Sequence, residues 1–80
     1  MKEAEKKLYN LLSKILEIPA KSINDKTAPE NVESWDSFNG LMIATELERV
    51  FEATFTIDEV ISVKNVGDIK KNLRNNKIDI

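Results

Sequence analysis

Apolar residues at a helical interval, stopped by a proline, constrain the fold of this chain more than any other feature. Ala4, Leu8, Leu11, Leu12, Ile15 and Leu16 recur at i, i+3, i+4 and i+7, the spacing that lines one face of an α-helix. Lys2, Glu3, Lys6, Lys7, Asn10, Ser13 and Lys14 fill the other face. Pro19 cannot continue a helix interior, so a first helix is expected over about residues 3–17. Both prolines of the chain fall in the next stretch, IPAKSINDKTAPENVESW, which is also rich in turn formers. A connection this long is unusual in a compact domain unless it is tied down or functional. Ile18, Ile23, Val32 and Trp35 are its expected anchors; Trp35 packs into the core or faces a partner.

Helical spacing returns after this loop. Phe38, Leu41, Ala44, Thr45, Leu47 or Glu48, and Phe51 mark a second helix over about 37–52, with Ile43 and Val50 beside the stripe. One dipeptide conflicts, because Asn39-Gly40 is a strong hairpin signal. Its flanks do not alternate with period two and good helix formers follow, so the helix stands and Gly40 costs it about 1 kcal/mol relative to alanine. Thr56-Ile57-Asp58-Glu59 reads as a capping box opening a short third helix over about 57–62. Asn65 caps a fourth over about 66–75, with Val66, Ile69 and Leu73 inward and Lys70, Lys71 and Arg74 toward its C-terminal end. The tail after Asn75 is expected to fray, although Ile78 and Ile80 could pack. The sum is a single all-α domain over residues 1–80. It is a four-helix bundle with three longer helices, one short helix and a long loop after the first.

Composition narrows the chemistry. A chain of 80 residues buries only about 60% of its unfolded surface, which leaves little room for a deep catalytic cleft. There is no cysteine and no histidine, so disulfides, thiolate metal sites and the usual general base are absent. A non-catalytic protein is expected. No apolar run approaches the ~18 residues that span a bilayer, and the N-terminus lacks the apolar core of a signal peptide; a soluble, cytoplasmic protein follows. A monomer is expected, since no long apolar stripe remains once the core is packed. Net charge is −2, yet Ala28 to Val63 holds eight acids against one base, Arg49. Such a block repels nucleic acid and favours a partner with a basic patch.

Ser37 stands where the second helix begins. Either Asp36 or Ser37 can serve as the N-cap, a role worth about 1 kcal/mol. As a nucleophile of its own the hydroxyl is weak, because no histidine is present to take its proton. A serine can instead be modified by a separate enzyme. A phosphodiester held there lies near free amide groups and the positive end of the helix dipole.

The order of these segments is familiar. "WDSF" opening an amphipathic helix, then "ELERVFEATFTIDEV", then "VGDIKKNL", resembles the acyl carrier protein family across nearly the whole chain, from Leu11-Leu12 to Leu73. The family's Asp-Ser-Leu signature corresponds to Asp36-Ser37-Phe38. The tripeptide alone is weak; its place after a long loop and before an acid-rich helix is more specific. The resemblance implies 4'-phosphopantetheine, covalently attached at Ser37 from coenzyme A by a phosphopantetheinyl transferase, with Asp36 as motif neighbour. The arm's thiol would then hold acyl or aminoacyl groups as thioesters. Loading and acyl-transferring enzymes with basic docking patches are the implied partners. They would meet Phe38, Met42, Glu46, Glu48 and Glu52 on the second helix and Asp58 and Glu59 on the third. Glu48 falls close to the apolar stripe, and Met42 is either a partner contact or partly buried packing.

The chain departs from the fatty-acid-synthesis pattern. Phe38-Asn39-Gly40 carries no carboxylate, Phe38 is bulkier than the customary leucine, and Arg49-Val50 interrupts the acidic run. A dedicated carrier for a polyketide, nonribosomal-peptide, polysaccharide or lipid pathway fits better. Phe38, Leu41, Ile43, Ala44, Leu47 and Ile61 are either plain core, the commoner role of apolar residues at helical spacing, or the lining of a partial shelter for the carried chain. The alternative is a cofactor-free helical interaction module whose acidic face docks a basic partner.

Overall fold

The computed structural model describes residues 2–80. Four α-helices carry the fold: α1 (Glu3–Leu16), α2 (Ser37–Phe51), α3 (Ile57–Ile61) and α4 (Val66–Asn75), with one 3-10 turn at Ala20–Ser22. The described residues contain no strand. The all-helical class and its division into three longer helices and a short one agree with the sequence reading.

Each helix end has a visible cause. α1 stops where Glu17 takes a left-handed conformation, φ 56°, and its amide donates to the Ser13 carbonyl. α2 ends the same way at Glu52, φ 52°. Thr56 and Glu59 form the reciprocal capping box that opens α3. Asn65 Oδ1 accepts from the Asp68 amide at 2.9 Å to start α4.

The core lies where three helices meet. α1 contributes Leu8, Leu12 and Leu16, α2 contributes Ile43 and Leu47, and α4 contributes Val66, Ile69 and Leu73. Leu8, Leu12, Leu16, Leu47, Leu73 and Val66 are wholly enclosed, and each such side chain stabilises the fold by about 1.5–3 kcal/mol. The inward face of α2 differs from the expected one. Ile43 and Leu47 form it, while Phe38 and Leu41 are 70% and 61% exposed. The stripe runs from Ile43 at i+4 spacing, so the residues at Phe38 and Leu41 turn outward.

The long loop is tied at both edges. Ile23 and Trp35 are buried in the core, and Ile18 and Val32 pack against it. Ser34 Oγ donates to the Leu16 carbonyl at 2.7 Å. The Thr27 and Asp25 carbonyls accept from the Val66 and Gly67 amides at 2.9 and 3.0 Å, filling positions that a helix start leaves open.

Lys70 on α4 is buried, 4% exposed, within a polar cluster that joins three parts of the chain. Its Nζ lies 2.5 Å from Glu5 Oε2 on α1 and 2.6 Å from Asp25 Oδ1 in the loop. It donates to Tyr9 Oη at 2.9 Å and stands 4.9 Å from the centre of that ring. The C-terminal tail takes the packed alternative rather than fraying. Ile80 joins the core, Ile78 packs against it, and Arg74 Nε donates to the Ile80 carbonyl at 3.1 Å.

Candidate functional site

The start of α2 answers which residue caps it. Asp36 is the N-cap: its carboxylate accepts from the Asn39 amide at 2.9 Å, and its carbonyl accepts from the Gly40 amide at 2.8 Å. Ser37 is therefore the first residue of the helix, and its hydroxyl is free of the capping role. It is exposed. The amides of Ser37 and Phe38 precede the helical hydrogen-bond ladder, so they point outward at the positive end of the helix dipole. Asn39 Nδ2 donates to the Ser34 carbonyl at 2.7 Å, and Ser34 is itself bonded to the end of α1. The serine thus stands on a base braced against two helices.

An open apolar cleft of about 610 Å³ begins at Asp36 and Ser37. Gly40, Leu41, Ile43, Ala44 and Leu47 from α2 line one side. Val60 and Ile61 from α3 and Ile69 and Asn72 from α4 line the others. Of the residues expected to line such a shelter, Phe38 does not, because it faces solvent. Pro29, Trp35, Phe55 and Val63 complete the wall; their distance along the chain hid them from helical spacing.

At the rim of the cleft and beyond it, apolar side chains remain uncovered. Phe38, Leu41 and Met42 on α2 are 70%, 61% and 40% exposed, and Ile57 and Ile61 on α3 are 78% and 73% exposed. Phe38 with Leu41 and Met42, and Ile57 with Ile61, stand three or four residues apart and so share helix faces. Ile57 escaped the sequence reading, although its place just inside a capping box marks it as a surface position of a short helix. Met42 sits at the partly exposed end of its two readings.

The expected acidic contacts divide into free and engaged groups. Glu52 and Asp58 are exposed, and Asp36 is exposed but engaged as the α2 cap. Glu48 turns inward: Oε2 accepts from the Phe55 amide at 2.9 Å and fastens the α2–α3 connection. Glu59 is half-buried and bonded to the Thr56 amide at 2.9 Å. Glu46 is paired with Arg49, Oε1 to Nη2 at 2.7 Å and Oε2 to Nε at 3.2 Å. That guanidinium holds the Glu46 carboxyl below the usual carboxylate range. The face around Ser37 is thus apolar at its centre and acidic at its edge, with much of the Glu46 charge neutralised.

No group of three or more acidic side chains suited to a metal ion occurs among the described residues. Among the described residues no helix is long and apolar enough to cross a membrane. Compared with known proteins, the chain matches no described family and no curated protein.

Proposed function

We propose that this protein is a non-catalytic acyl carrier, modified at Ser37 with 4'-phosphopantetheine and delivering thioester-bound intermediates to biosynthetic enzymes. One observation carries the reading: the Ser37 hydroxyl is exposed at the mouth of α2 while Asp36 performs the cap. The hydroxyl is available to a second enzyme without loss to the fold. The residues present fit the group. The two outward amides and the helix dipole suit a phosphodiester, and the cleft opens beside it.

The chain's own part is limited. Ser37 Oγ supplies the nucleophile to a phosphopantetheinyl transferase. Its O–H bond breaks, an O–P bond forms to the pantetheine phosphate of coenzyme A, and adenosine 3',5'-bisphosphate leaves from the broken P–O–P bridge. The transferase takes the proton. The attached arm supplies a thiol, which the chain itself lacks. Phe38, Met42 and Ile57, edged by Asp36, Glu52 and Asp58, then form the face that partner enzymes with apolar and basic surfaces meet.

The uncovered apolar face also supports a second reading, a cofactor-free module that docks a basic partner. Ser37→Ala separates the two. Under the carrier reading it abolishes transfer of a labelled phosphopantetheine from coenzyme A and abolishes biological activity, with the helical circular-dichroism signal unchanged. A Ser37→Ala protein with full activity in its host supports the cofactor-free module instead.

A further inference from the structure

The indole N–H of Trp35 is a polar group at this site that the fold leaves unused. Trp35 is 6% exposed and is one of the residues that line the cleft, with Asp36 and Ser37. Its backbone amide donates to the Val32 carbonyl at 3.0 Å, but Nε1 donates to no group among the described residues. No side-chain nitrogen or oxygen among the described residues is sealed away from solvent without a partner, so this N–H reaches open space. The open space against its ring is the cleft.

Gly40 keeps that edge of the indole clear. A Cβ at this position would stand 3.7 Å from Nε1 and 4.0 Å from Cδ1. Both are ordinary van der Waals distances, so glycine leaves the space beside this edge of the indole without a side chain. Glycine is a poor residue inside a helix, and no positive φ requires it here. What it provides is room beside Nε1.

We infer that Trp35 Nε1–H donates a hydrogen bond to an acceptor oxygen on the chain carried at Ser37. This rests on the carrier reading of that serine. The walls beyond the donor are Leu41, Ala44, Leu47 and Ile69, so the chain it holds is apolar apart from a carbonyl, amide or hydroxyl oxygen near the mouth. A donor in such surroundings discriminates sharply, because a chain without an acceptor leaves it desolvated and unpaired. The oxygen has two sources, the amides of the arm or an oxidised carbon of the cargo.

Trp35 is the only tryptophan, so its indole proton gives a single resonance in an isotope-labelled protein. Four forms are compared after intact mass has verified each: unmodified, arm with free thiol, arm with a plain alkanoyl chain, and arm with a β-oxoalkanoyl chain of equal length. A downfield move with slower solvent exchange in the free-thiol form assigns the acceptor to the arm. The same change confined to the β-oxo form assigns it to the cargo. An indole resonance unmoved in every loaded form overturns the inference alone. A protein that takes up no arm overturns the carrier reading, and this inference with it.

Discussion

Lys70→Met is expected to destabilise the fold by about 2–3 kcal/mol. Methionine keeps the length and apolar character of the buried stem, so the change isolates the ammonium group. That group holds Glu5 Oε2 at 2.5 Å, Asp25 Oδ1 at 2.6 Å and Tyr9 Oη at 2.9 Å. Removing one member of a buried ion pair costs about 3–5 kcal/mol, because the other charge stays behind uncompensated. Here the Asp25 side chain is 64% exposed and turns to water at little cost, whereas Glu5 is 27% exposed and remains poorly solvated. One strongly affected carboxylate rather than two brings the figure to roughly half of the upper range. A chain this size has a total stability of about 4–12 kcal/mol, so the loss is a large fraction of it. Urea unfolding followed by circular dichroism reads it as a lower midpoint with an unchanged slope. Adding Glu5→Gln to Lys70→Met should recover part of the loss, since the stranded charge is then gone. A loss below about 0.5 kcal/mol for Lys70→Met, or strictly additive effects in the pair, would refute the view that these groups act as one cluster.

Further expectations follow from the same contacts. Burial alone would lower the Lys70 pKa, but its hydrogen bonds to Asp25, Glu5 and Tyr9 outweigh burial and raise it. Its contribution is therefore complete below the unfolded lysine value of about 10.4 and is lost as pH rises beyond it; urea midpoints should fall more steeply there for the wild type than for Lys70→Met. Asp36→Ala should cost about 1 kcal/mol by removing the α2 cap, whereas Ser37→Ala should change thermal stability by less than about 0.5 kcal/mol. Glu17→Gly should stabilise by roughly 0.5 kcal/mol, because a left-handed backbone burdens glutamate by about 1–2 kcal/mol and the added freedom of glycine when unfolded cancels part of that relief. Thermal melts of the three variants beside the wild type check these values.

Local chemistry was the legible part of the sequence. The capping box at Thr56 and Glu59, the Asn65 cap and the apolar face of α1 depend on neighbours three or four residues away, and they stand where spacing put them. The inward face of α2 was harder. Phe38 and Leu41 match a helical stripe as well as Ile43 and Leu47 do, and only the packing of α1 and α4 selects between them. Glu48 lies between the apolar stripe and the acidic face, and only the turn at Glu52, which brings the Phe55 amide to it, decides its direction. The order at Ile78 and Ile80 depends on contacts with the rest of the core that no local pattern records. The Lys70 cluster was equally invisible, since its partners lie 45 and 65 residues away in sequence. At the candidate site, the serine and its neighbouring aspartate were legible, and which of them caps the helix was not. The cleft walls at Pro29, Trp35 and Phe55 come from connections whose position only the fold decides.

The most direct test of the proposed function is the intact mass of the purified protein after incubation with coenzyme A and a broad-specificity phosphopantetheinyl transferase. The account predicts the gain of a single phosphopantetheinyl group, mapped by peptide fragmentation to Ser37 and absent from Ser37→Ala. An unchanged mass, under conditions that fully load a control carrier, would contradict it.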